Sequence, residues 1–177
     1  PNNEIQIKNL HLDKKYNLIN FNSIKVKTRV NKEINNDFSI MNKDQIIIKG
    51  KVFDAKNLVK ELNKSDKNDK FFNKISKDIQ IDFDNVQKIA KFPLKNFRLV
   101  GTIKKGSFEK ISAKSDFSEK DHLDISLKKS KETQKKILEV YSDIALPLLS
   151  DYKFFQGLEG GNLNFLSNFD NKESTNL

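Results

Sequence analysis

Apolar and polar residues alternate one by one along most of this chain. Ile5 and Ile7 alternate with Glu4, Gln6 and Lys8, and Ile24, Val26 and Thr28 alternate with Lys25, Lys27 and Arg29. Phe38 and Ile40 follow the same rule, and Ile79, Ile81 and Phe83 alternate with Gln80, Asp82 and Asp84. Phe97, Leu99, Gly101 and Ile103 oppose Asn96, Arg98, Thr102 and Lys104, with Val100 interrupting the polar side. Leu123, Ile125 and Leu127 oppose Asp124, Ser126 and Lys128, and Leu163 and Phe165 close the series. Successive side chains of a strand point to opposite faces, so this period gives each strand one apolar and one wet face. Such strands fit antiparallel sheets with a solvated side, not the solidly apolar strands of a parallel α/β sheet.

Polar turn signals separate the runs. Asn42-Lys43-Asp44 joins Phe38–Met41 to Gln45–Val52, Lys104-Lys105-Gly106-Ser107 joins Phe97–Ile103 to Phe108–Phe117, and Ser118-Glu119-Lys120-Asp121 leads to Leu123–Leu127. Consecutive strands with short polar connections predict a meander. Two segments carry a helical stripe instead. Ala55, Leu58, Val59 and Leu62 recur at helical spacing after Asp54, a good N-cap. Asp143-Ile144-Ala145-Leu146-Pro147-Leu148-Leu149 is the second, with Ser142 or Asp143 as cap and Pro147 tolerated near the first turn. Residues 63–77 read as a polar loop, or as one anchored by Phe71, Phe72 and Ile75 as a turn of helix, and residues 170–177 as a disordered tail. The prediction is a mainly β chain with minor α: a curved antiparallel sheet or β-groove with two short helices, forming a single unit over residues 1–169.

Composition narrows the chemistry. The 177 residues contain no Cys and no Trp, and His11 and His122 are the only histidines. That excludes disulfides, thiolate nucleophiles, Cys-bound metals and any site of three histidines. No catalytic serine has a Gly-x-Ser-x-Gly elbow. Gly157-Leu158-Glu159-Gly160-Gly161 lacks the Gly-Lys-Ser/Thr of a phosphate loop and reads as a sharp turn needing positive φ. Asp82 and Asp84 share a wet strand face, where acids are ordinarily solvated, and Asp66-Lys67-Asn68-Asp69 lacks the remaining ligands of a calcium loop. No enzyme, cofactor or metal is expected.

The net charge is +9, from 33 basic and 24 acidic residues, and Arg29 and Arg98 are the only arginines. Arginine is the side chain that forks onto phosphate and guanine, so its scarcity argues against a nucleic-acid partner. Lysines scattered among acids, as in residues 64–70, read as a solvated coat. The absence of any run of about 18 apolar residues leaves no membrane-spanning helix, and Pro1 in place of Met leads us to expect a section of a longer protein.

The strand-to-helix step Gly50-Lys51-Val52-Phe53-Asp54-Ala55, the meander Ile79–Leu127, and the run Val140-Tyr141-Ser142-Asp143-Ile144-Ala145-Leu146-Pro147-Leu148-Leu149 with Leu158-Glu159-Gly160-Gly161-Asn162-Leu163 together resemble the C-terminal region of AsmA-like (AsmA/TamB/YhdP-type) bacterial envelope proteins. The likeness covers roughly Gln45 to Ser167 and departs from the family at Ile144, where a second acid is common, and at Leu146, where a small residue is usual. The resemblance implies a non-enzymatic envelope-biogenesis module within a bridge-like phospholipid transport groove between inner and outer membrane. It implies a periplasmic section, attached to the inner membrane through a segment outside this chain. Its partners would be phospholipid acyl chains, and membranes through the parent protein. Groove-lining positions would be Ile79, Ile81, Phe83, Phe97, Leu99, Ile103, Leu123, Ile125 and Leu127, with Asp54 and Asp143 capping the helices. The competing expectation is a closed β-sandwich that assists outer-membrane protein assembly; a third is a polyanion binder.

Overall fold

The computed structural model describes residues 3–16, 18–56, 75–87, 92–133, 135–150 and 157–169. Of these residues 66% lie in strands and 3% in helix. In chain order the elements are β1 (Glu4–Lys8), β2 (His11–Leu12), β3 (Leu18–Asn20), β4 (Ser23–Val30), β5 (Glu33–Asn42), β6 (Ile46–Asp54), β7 (Lys77–Gln87), β8 (Leu94–Lys104), β9 (Ser107–Asp116), β10 (His122–Lys129), β11 (Lys136–Ser142), α1 (Leu146–Leu149) and β12 (Leu163–Phe169). Among the described residues, ten strands form one sheet in the order β1-β4-β5-β6-β7-β8-β9-β10-β11-β12, and β2 and β3 make a separate two-stranded hairpin. The large sheet is not closed. The mainly β, antiparallel-dominated fold is thus as the alternation predicts.

Turn chemistry explains the connections. Asn31 (φ 50°) and Lys32 (φ 71°) turn β4 into β5, and Lys105 (φ 50°) and Gly106 (φ 76°) turn β8 into β9. Two successive positive-φ residues make the tight hairpin turn whose twist matches that of the flanking strands. One pair departs from the expected pattern: β6 and β7 run parallel, with Ile46 opposite Ile79 and Ile48 opposite Ile81. A parallel pair needs a crossover from one end of the sheet to the other, and residues 55–76 are long enough to supply it.

The expected helix over 54–62 lies, from residue 57 onward, outside the described residues, as do most of the loop over 63–77 and the tail over 170–177. Asp54 itself ends β6, and its Oδ1 accepts the Lys56 amide at 3.1 Å, the i+2 bond of an Asx turn. The second helix is shorter than expected, spanning Leu146–Leu149 with Ala145 at the N-cap and Pro147 in the first turn. Asp143 is therefore not its cap. Its carboxylate is taken by the His122 amide at 2.8 Å and the Tyr141 hydroxyl at 2.9 Å, so it fastens β10 to the end of β11. Gly157, Gly160 and Gly161 have φ of 90°, 68° and 80°, as their turn role requires.

One buried cluster lies toward one end of the sheet, while Phe21 and Ile79 are buried nearer the other. Ala55, Phe83, Val86, Leu94, Phe117 and Leu123 are buried together, with Phe38, Phe53, Ile144 and Leu148 packed against them. These residues come from the middle of β5, the ends of β6, β7 and β9, the starts of β8 and β10, and the segment holding α1. Phe38, Phe53 and Phe83 form a ring cluster with centroids 5.3–5.8 Å apart. Gly50 makes that cluster possible: a Cβ there would meet the Asp37 carbonyl oxygen and Phe38 Cβ, each at 2.4 Å. Phe38 and Phe83 both stand opposite Gly50 and close over it.

Candidate functional site

Strand register decides which side chains share a face, and here it aligns one apolar row across the whole sheet. Ile7, Ile24, Ile40, Ile48 and Ile81 stand opposite one another from β1 to β7. The row continues through Leu99, Ala113, Ile125, Val140 and Phe165 to β12. A second row on the same face passes through Ile5, Val26, Phe38, Gly50, Phe83 and Phe97. A third passes through Ile46, Ile79, Gly101, Ile111, Leu127 and Leu138. In the first row Ala113 is buried, the seven residues from Ile24 to Val140 other than Ala113 are half-buried, and Ile7 and Phe165 at the two edges are each 46% exposed. A sheet face sealed by a second layer would bury such a row throughout; here only Ala113 is buried, and the other members keep partial contact with solvent out to both edges.

The opposite face is polar along the matching row. Gln6, Lys25, Ser39, Lys49 and Asp82 are followed by Arg98, Lys114, Asp124, Tyr141 and Asn164. Adjacent opposite charges pair across it: Arg98 with Asp82 at 2.6 Å and Lys114 with Asp124 at 3.1 Å. Exposed pairs of this kind are worth about 0–1 kcal/mol, so they set solubility and register more than stability. The neighbouring row is less strict, with Met41, Val100 and Leu166 at 36%, 53% and 64% exposure.

All nine residues expected to line a groove fall on the apolar face, but they divide into two kinds. Phe83 and Leu123 belong to the buried cluster, and Ile79 is also buried. Ile81, Phe97, Leu99, Ile103, Ile125 and Leu127 are half-buried and make up the accessible part. Several members of the face escape sequence reasoning as site residues. Ile46 and Ile48 sit in the unbroken run Ile46-Ile47-Ile48, in which parity is not visible, and Ala113 is too small to mark a face.

One polar node stands at the end that holds the buried cluster. His122 Nδ1 lies 2.9 Å from Asp116 Oδ1, and Asn96 donates to Asp116 Oδ2 at 2.8 Å. The Asp116 hydrogen bond, reinforced by the charges of Asp116, Asp143 and Asp124, raises the His122 pKa above its usual value. Asp143 is held below the usual carboxylate range, first by the His122 backbone amide and then by the Tyr141 hydroxyl. Asp116 is held low by Asn96 and then by His122. Every acid here already has a structural partner, and among the described residues no group of three or more His, Asp or Glu could hold a metal ion. Among the described residues no helix is long and apolar enough to cross a membrane.

In comparisons with known proteins, no family model, no curated protein and no solved structure matches the chain.

Proposed function

We propose that this chain is a non-enzymatic section of a lipid-transport path in a bacterial envelope, of the AsmA/TamB/YhdP type. Phospholipid acyl chains lie along the apolar face while their head groups stay in water. The reading places the section in the periplasm, joined to the inner membrane through a segment outside this chain. The observation that carries it is the apolar row that crosses ten strands without a polar residue and, apart from the buried Ala113, keeps partial contact with solvent out to both edges. An alkyl chain needs a continuous apolar track and no directional partner, and each methylene removed from water contributes about 0.8 kcal/mol. The second reading, a β-sandwich module for outer-membrane protein assembly, draws on the buried cluster around Phe83 and Leu123. It accounts for one end of the sheet but not for the partly exposed row beyond.

Native mass spectrometry of the full chain separates the two. Adducts with the mass of a phospholipid, lost when the apolar face is made polar by Leu99→Ser with Ile125→Ser, support transport. A bare chain from cells rich in phospholipid supports the sandwich.

A further inference from the structure

Among the described residues, the positive charge that sequence alone spreads over the whole surface is concentrated by the fold at one end. Opposite the buried cluster lie the segments 8–23, 42–46, 75–79, 103–109 and 127–137, whose register and contacts bring them together. They hold twelve lysines against five acids. The described segments at the cluster end (3–4, 29–36, 53–56, 92–96, 115–123, 142–150 and 157–163) hold five basic and eight acidic residues. Direct bonds tie the lysine-rich segments into one rim. Asn42 Nδ2 donates to Asn20 Oδ1 at 3.0 Å, Lys77 Nζ to Asn42 Oδ1 at 2.6 Å, and the Lys105 amide to Ser76 Oγ at 3.0 Å. Lys136 Nζ reaches the Phe108 carbonyl at 2.7 Å.

A second feature projects from the same rim. The β2–β3 hairpin leaves the sheet between the end of β1 and the start of β4. It presents Leu10, Leu12, Tyr16 and Ile19 at 44%, 44%, 85% and 57% exposure, beside Lys14 and Lys15. Exposed aliphatic residues and a tyrosine next to lysines match the boundary of an anionic bilayer, where the rings and alkyl groups enter the head-group layer and the ammonium groups meet lipid phosphates. Nucleic acid fits less well: Arg29 lies at the other end, and Arg98 is paired to Asp82 on the wet face.

We infer that this lysine-rich end, with the β2–β3 hairpin, docks on the surface of an anionic lipid bilayer. The inference goes beyond acyl-chain transport and uses different residues, so either can fail alone. The test is flotation of the full chain with phosphatidylcholine vesicles and with vesicles containing phosphatidylglycerol. Binding is expected only to the latter. Lys104→Glu with Lys105→Glu should weaken it at least ~30-fold, since losing the two positive charges alone removes about 1 kcal/mol per lysine near an anionic surface and the new carboxylates add repulsion. Leu12→Ser with Tyr16→Ser should weaken it with salt dependence retained. Lys32→Glu with Lys120→Glu, the same charge change at the other end, should leave it nearly unchanged. Circular dichroism of each variant establishes that the sheet is intact. Equal binding to both vesicle types, equal loss from the two charge reversals, or tighter binding to duplex RNA than to anionic vesicles would each overturn the inference.

Discussion

At the scale of single residues, two positions carry most of what can be tested. Gly50 is required by close approach, since any Cβ meets backbone at 2.4 Å. Gly50→Val should destabilise the chain by about 1–3 kcal/mol, the usual cost of overpacking, and should loosen the Phe38–Phe83 contact. Urea denaturation measures the first and near-ultraviolet dichroism the second. His122 gives a pH signature. Its pKa is raised in the folded chain, so its contribution is fully present below the unfolded value of about 6.5 and is lost as pH rises through the folded value. Asp116 and Asp143 are lowered, so theirs is present above the unfolded carboxylate value and lost as pH falls through the folded one. Thermal melting temperatures should therefore fall as pH rises above about 6.5, and His122→Gln should flatten that fall. Sequence could show that Gly50 precedes an apolar stretch, but not that a bulge between Asp37 and Phe38 brings a phenylalanine onto it.

At the scale of elements, alternation located the strands because period two is what a half-wet sheet imposes. Strand direction was not legible: Ile46–Ile48 and Ile79–Ile81 read alike whether β6 and β7 run parallel or antiparallel, and the crossover decides it. The sequence starts the helix after β11 too early because Asp143 looks like a cap, whereas its carboxylate is claimed by partners brought by β10 and β11. That claim predicts an outcome opposite to capping. Asp143→Ala should speed amide exchange at His122 and Ser142 while leaving Leu148, Leu149 and Ser150 protected by their own bonds to Ala145 and Leu146. Leu148 packs on the buried cluster. Leu148→Ala should cost about 2 kcal/mol, the low end for a leucine truncation because the site is only partly buried, measured by chemical denaturation.

At the scale of the whole molecule, register does what no single strand can. It lines up alternations from separate strands so that apolar positions fall in rows, and it gathers lysines from distant segments at one end of the sheet. Neither result is visible in the linear charge pattern, where lysines and acids intermix. The most direct test of acyl-chain transport places a photo-crosslinking residue at Phe97 or Ile125 on the half-buried apolar face, and at Lys114 on the wet face. After irradiation in phospholipid-bearing cells, lipid adducts are predicted at Phe97 and Ile125 and none at Lys114. Absence of lipid at both apolar positions, or equal labelling at Lys114, would contradict a lipid track on this sheet.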